Sequence, residues 1–208
     1  MQLYIRYVVN RLLIVLGLIL IAGCSRWETP GSVSDAEPLI FPDYKEVTIP
    51  CNIAPLNFMI EGVSRIQTVI SLDGAELTRI SGKEGVIAIP LKKWSALMES
   101  AQGKALEFEV SAWSEENPEG VKYAPFKVNV ADDAIDPWVA YRLIEPGYKS
   151  WRQLGLYQRN LSTFEERAIV TNTTDIETCL NCHHFPAYSA GSMMFHARGA
   201  NGGTILYD

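Results

Sequence analysis

The sequence has few of the residues that usually carry chemistry. Its 208 residues include only four cysteines and three histidines. No nucleophile–base pair stands out, and the adjacent acids at 132–133 and 165–166 have the surroundings of solvated loops. Acid–base and nucleophilic catalysis need such groups held together. The sequence therefore favours an electron carrier or a binding protein over an enzyme.

Positive charge is also scarce. There are 18 Lys and Arg residues against 24 Asp and Glu, which gives a formal net charge of −6. Nucleic acids and anionic lipids both attract basic surfaces. The acidic balance argues against a nucleic-acid partner, and any contact with a membrane must come from something other than charge.

Long apolar runs are missing as well. The longest one covers 12–22, whereas a membrane-spanning helix needs about 20 residues. Arg6 and Arg11 stand before this run and the small residues Gly23-Cys24 follow it. A basic start, a short apolar core and a small-residue stop are typical of an export signal.

The end of this signal, IAGC at 21–24, resembles the lipobox of bacterial lipoproteins, in which the cysteine becomes the lipid-bearing first residue of the mature chain. The sequence therefore predicts a signal peptide over 1–23 and a membrane anchor through a lipid on Cys24. Ser25, where an aspartate would favour the inner membrane, favours the outer membrane, facing the periplasm or the cell surface. An ordinary secretory signal and an uncleaved anchor are the alternatives.

The next two segments differ in composition. Residues 24–43 are rich in Pro, Gly, Ser and acids, which predicts a linker. Residues 44–133 contain short runs of alternating apolar and polar residues, such as LEFEVSAW, separated by turn residues. One helix is predicted in PLKKWSALMESAQG. The pattern is typical of a β-sandwich of immunoglobulin or fibronectin type. Cys51 is expected to be a buried, unpaired thiol.

Residues 134–208 are predicted to form a small irregular segment of helix and loop. Asp136-Pro137 is a helix-start signal, so a short helix is expected over 138–144 and another turn over 148–154. The chain as a whole is thus expected to be mostly β, with this irregular segment after the sandwich.

This last segment carries CLNCHH, which contains a CxxCH motif. Cys179 and Cys182 are spaced to bind both vinyl groups of one porphyrin, and His183 stands where its ring can bind the iron. The motif predicts covalently bound haem c. A zinc site is the main alternative, with Cys179, Cys182, one of His183 and His184, and His196 as ligands. A thiol–disulfide redox centre and a structural disulfide are further alternatives.

A haem that transfers electrons usually has a second axial ligand. His196 and, after it, Met194 are the candidates from SMMFHARG, whereas His184 stands too close to His183 to reach the other face of the same haem. A histidine would give a lower potential and a methionine a higher one.

The runs DPWVAYRLIEPGYKSW, YQRNL, CLNCHHF, MMFHARG and GGTILYD resemble a family of Gram-negative lipoproteins described as TolB-like or cytochrome-c-like. In that family an N-terminal β domain and a CxNCH segment precede a β-propeller. The resemblance implies a haem-attachment site at Cys179, Cys182 and His183. On this resemblance 204–207 would be the first propeller strand, and the chain would be a truncated form, the product of a broken gene, or a short form of the family.

The resulting hypothesis is a lipid-anchored, c-type-cytochrome-like lipoprotein with one covalent haem, used for electron transfer or redox sensing with a periplasmic redox partner. The alternative is a non-catalytic surface lipoprotein or binding module in which the Cys/His cluster is a structural zinc knuckle.

Overall fold

The computed structural model describes residues 27–144, 154–172, 179–189, 191–199 and 202–207. The predicted signal peptide, Cys24 and most of the turn predicted over 148–154 lie outside these residues. Within the described ranges no helix is long and apolar enough to cross a membrane.

The prediction of a mostly β fold is confirmed. The first part of the chain forms these elements: β1 (Ser32–Val33), β2 (Thr48–Ile49), β3 (Phe58–Met59), β4 (Arg65–Leu72), β5 (Ala75–Lys83), β6 (Val86–Ile87), α1 (Leu91–Ala101), β7 (Ala105–Trp113), β8 (Val121–Lys122) and β9 (Phe126–Val130). Seven of the strands form one sheet in the order β1-β8-β7-β4-β5, with β9 paired to β7 and β2 paired to β9. The remaining two, β3 and β6, form a separate antiparallel pair.

The core lies against one face of the large sheet. Every second residue of β7 and β9 is buried there, as the alternation in the sequence predicts. The rings of Phe108 and Phe126 stack with centroids 5.1 Å apart, and Phe58 of β3 packs edge-on against both. Helix α1 closes the layer with Trp94, whose indole N–H donates to the carbonyl of Ile53 at 2.8 Å.

The predicted helix is therefore confirmed, and it covers the sheet together with the small β3–β6 pair. The short strands predicted within 44–133 are confirmed as well, with LEFEVSAW as part of β7. A sandwich of immunoglobulin or fibronectin type, which requires two packed sheets of defined strand order, stays a prediction.

Part of the predicted linker belongs to the folded unit. Strand β1 pairs in parallel with β8, Phe41 forms a bridge with Met59, and Ile40 is buried in the core. The ordered sheet thus begins before Tyr44, because short stretches of this Pro- and Gly-rich segment find partners that are distant in sequence.

The second part of the chain is built from two small antiparallel sheets. The first contains β10 (Trp138–Leu143), β11 (Gly155–Asn160) and β12 (Glu166–Thr171), and the second contains β13 (Cys179–His184), β14 (Met193–Arg198) and β15 (Gly203–Tyr207). A 3-10 turn at Pro186–Tyr188 lies between β13 and β14.

The expected irregular helix-and-loop segment is therefore wrong, and so is the helix over 138–144. Residues Trp138–Leu143 pair with β11 along the whole strand. The helix-start signal at Asp136-Pro137 depends only on neighbouring residues. The six cross-strand pairs depend on residues 155–160, which are distant in sequence. Tertiary pairing overrides the local signal here.

The two small sheets share a core. Leu156 of β11 is fully buried with Leu180 of β13 and with Met193, Phe195 and Ala197 of β14. The turn after β11 connects this unit to the first part of the chain, where Leu161 accepts a backbone hydrogen bond from Ala54 at 2.7 Å. These contacts position the strand that carries the CxxCH motif.

Candidate functional site

The CxxCH residues lie on β13, which is an edge strand with a bulge. Leu180 pairs with Ala197 and His183 pairs with Phe195, and the register shifts between these pairs. Residues 181 and 182 thus stand opposite the single residue His196. A bulge of this kind leaves a residue unpaired and bends the strand locally.

The strand divides the motif between two faces of the sheet. Side chains of an extended strand alternate, and directly paired residues point to the same face. His183 shares the inner face with its partner Phe195, whereas His184 shares the outer face with its partner Met194. We call these the inner face, which contributes to the small core, and the outer face, which is exposed.

The two motif thiols belong to the outer face. Cys179 pairs with Arg198, which alternates in step with Met194 and His196 along β14. Cys182 precedes His183 directly and is exposed, and Cys179 is half-buried. Both are free thiols, as is the half-buried Cys51 of the first part of the chain. The structure therefore has no disulfide bond between Cys179 and Cys182, which was one of the alternatives from the sequence.

A cleft of about 590 Å³ runs between β10 and the end of β13. Trp138, Val139 and Ala140 line one side of it, and the residues from His183 to Phe185 line the other. The guanidinium of Arg167 lies 4.8 Å from the ring centroid of Trp138 and holds this wall in place. The ring of Phe185 meets that of His183 edge-on at a centroid distance of 6.3 Å. The cleft is thus mostly apolar, and His183 borders it.

The structure does not bring the predicted second axial ligands to the side of His183. Met194 and His196 both lie on the outer face, while His183 belongs to the inner face. The methionine on the inner face is Met193, which is 3% exposed and packed in the small core. In this conformation neither Met194 nor His196 completes an axial pair with His183.

The zinc alternative has no preformed cluster behind it. Among the residues that the structure places, no three His, Cys, Asp or Glu side chains are grouped so that they could hold a metal ion. Two of the proposed zinc ligands, Cys179 and His196, lie on the outer face but are not direct partners, because Cys179 pairs with Arg198.

Sequence reasoning missed the residue that holds β13 in place. The backbone N–H of Leu180 points away from β14 and donates to Oδ1 of Asn172 at 3.0 Å, and Asn172 is 1% exposed. Asn172 directly follows β12, so it links the two small sheets at the start of the motif. No local pattern in the sequence identifies it, because its partner is defined only by the fold.

A second polar contact lies across the β10–β12 sheet. The hydroxyl of Tyr141 donates to a carboxylate oxygen of Glu166. This hydrogen bond raises the pKa of Tyr141 above its ordinary value of 10.0. The contact is exposed and joins the two outer strands of this sheet.

A scan of protein-family models and a search of curated proteins found no match to this chain.

Proposed function

We propose that this chain is a c-type haem protein, attached to the outer membrane through a lipid on Cys24, that serves electron transfer or redox sensing. One haem would be held by thioether bonds to Cys179 and Cys182, with His183 as a ligand of the iron. The observation that carries the proposal is the CxxCH motif with both thiols free and with His183 bordering a mostly apolar cleft.

The state of the thiols supports covalent attachment. Addition to a vinyl group requires a free thiol, and both motif cysteines are free. Cys182 is exposed and stands at the bulge, where the strand has lost its regular pairing. An assembly enzyme can therefore reach this part of the strand without first opening the core.

The cleft supports a planar apolar group beside His183. Its volume of about 590 Å³ falls within the range of roughly 300–1,000 Å³ that small-molecule and cofactor sites occupy. Its aromatic and aliphatic wall on β10 and the imidazole of His183 are the groups that a porphyrin and its iron bind.

The strand conformation itself must change on attachment. The two thiols lie on the outer face and His183 on the inner face, so one porphyrin cannot contact all three while 179–183 stays extended. The break in pairing between Leu180 and His183 is where such a change costs least. We therefore expect the segment to leave the strand conformation when haem binds.

The decisive experiment is expression of the full chain in an exporting host, with and without cytochrome c assembly machinery. We expect haem that stays on the protein after acid–acetone extraction, in a ratio of one per chain, only when the machinery is present. Cys179→Ser and Cys182→Ser should each remove a thioether bond, and the pyridine haemochrome spectrum should shift accordingly.

Cys51→Ser is the matched control, because it removes a half-buried thiol that packs against the core of the first part of the chain. It should leave the haem content unchanged. Absence of covalent haem from the exported wild-type chain, with the machinery shown to mature another cytochrome in the same cells, would contradict the proposal.

A further inference from the structure

Three side chains suited to binding a metal lie together on the outer face. His184 pairs directly with Met194 across β13 and β14, and His196 is the next residue of β14 on the same face. All three are exposed. None of them can act with His183 on one haem in this conformation, so a separate role is open to them.

Their spacing allows them to reach one ion. Directly opposed residues of an antiparallel pair have Cβ atoms about 4.5–5.5 Å apart, and next residues on the same face are about 6.6 Å apart along the strand. Imidazole and thioether side chains extend far enough from such positions to meet above the sheet.

One of the two imidazoles is already oriented. Nδ1 of His196 lies 3.3 Å from Oγ1 of Thr204, its partner on β15. A metal-binding histidine usually has its other ring nitrogen in a hydrogen bond of this kind, which fixes the ring. This contact leaves Nε2 of His196 available to a metal.

The ligand types select a soft ion. A thioether binds Cu(I) and is a poor ligand for hard cations such as Mg²⁺ and Ca²⁺, and imidazole suits copper as well. The described residues of this face include no carboxylate, and the β15 partner of Met194 is the exposed Leu206. An ion of low charge is favoured beside such neighbours.

We propose that His184, Met194 and His196 bind one Cu(I) ion on the outer face of the β13–β15 sheet. Two of its ligands, Met194 and His196, lie on the face opposite His183, whereas His184 also borders the cleft. The site does not require a bound haem. Cys182 is left out of the ligand set because a haem would use its thiol.

The test is a titration of the full chain, in detergent and without oxygen, with Cu(I) held by a coloured chelator. It is done in a Cys179→Ser/Cys182→Ser background, because a pair of free thiols at this spacing binds Cu(I) by itself and because this background carries no haem. We expect withdrawal of one Cu(I) per chain from the chelator. Met194→Leu and His196→Ala should each weaken binding at least tenfold.

His183→Ala is the matched control. It removes the same kind of side chain one position away, on the inner face, and should leave the affinity within twofold. The proposal is overturned if the serine background takes no Cu(I) from the chelator, or if His183→Ala weakens binding as much as His184→Ala. It is also overturned if Zn²⁺ binds as tightly and Met194→Leu has no effect, because the thioether would then not be a ligand. Failure of haem attachment in the wild-type chain leaves this result unchanged.

Discussion

Replacing Asn172 with alanine tests how the motif strand is held. Strand β13 is at the edge of its sheet, so none of the described strands lies beside the outward backbone N–H of Leu180. It donates instead to Oδ1 of the buried Asn172, with the two atoms 3.0 Å apart. Asn172→Ala removes this acceptor and leaves a buried N–H without a partner.

The size of the effect follows from the burial of both groups. Asn172 and Leu180 are each 1% exposed, so water does not replace the lost acceptor without opening the strand. An unsatisfied buried donor costs about 1–3 kcal/mol. If opening of β13 is the event that exposes this amide, its hydrogen exchange should become about 5- to 150-fold faster.

Hydrogen–deuterium exchange followed by mass spectrometry measures this directly, on peptides that cover 179–184. Peptides from β4 and β7 of the large sheet should keep their exchange rates, because the lost hydrogen bond joins Asn172 to Leu180 in the second part of the chain. Asn117→Ala, in an exposed turn of the first part of the chain, is the control and should leave β13 unaffected. If Asn172→Ala changes exchange at 179–184 by less than twofold, the hydrogen bond does not hold the strand and the reasoning is refuted.

Two further predictions concern other buried or coupled groups. Thr68 is fully buried in β4, and its Oγ1 has no hydrogen-bond partner within the part of the chain that the structure describes. Thr68→Val should therefore raise the free energy of unfolding by about 1 kcal/mol or more in urea titrations. Thr48→Val, at an exposed position, is the control and should change it by no more than about 0.5 kcal/mol, so equal effects of the two substitutions would contradict the explanation. The hydrogen bond to Glu166 raises the pKa of Tyr141 above 10.0, so the contribution of this bond to stability is present below pH 10 and is lost as the pH rises through the raised pKa. In Glu166→Gln, ultraviolet titration of tyrosinate should show one tyrosine fewer that ionises at high pH. A titration curve unchanged from that of the wild-type chain would show that the contact does not form.

The sequence was sufficient wherever the pattern is local and periodic. The alternation in LEFEVSAW predicted a strand, and the structure has it as β7, with alternating burial up to Val110 and continuous burial from there to Trp113. The helical spacing of Trp94, Leu97 and Met98 predicted α1, and these side chains are buried against the sheet. In these elements the amino-acid pattern and the tertiary burial agree, so the local reading is enough.

It was insufficient where distant residues decide the local structure. Residues 138–143 carry a helix-start signal and yet pair fully with β11. Pro- and Gly-rich residues before 44 look like a linker and yet supply β1 and the bridge at Phe41. Asn172 has no sequence signature at all, because its importance comes from an amide eight residues later on another sheet.

At the candidate site, the limit of sequence-based prediction is clearest for Met193 and Met194. The sequence predicted Met194 as a candidate ligand and not its neighbour Met193, although their spacing to His183 differs by only one residue. In a strand, a shift of one residue moves a side chain to the other face. The pairing of His184 with Met194 places Met194 on the outer face and leaves Met193 in the core.

The register of the β13–β14 pair, which no motif encodes, therefore separates the CxxCH histidine from its predicted axial partners. It also brings His184, Met194 and His196 together. If haem attachment unwinds β13, it removes the His184–Met194 pairing as well, so the proposed covalent haem and the proposed Cu(I) site would compete for the conformation of this one strand.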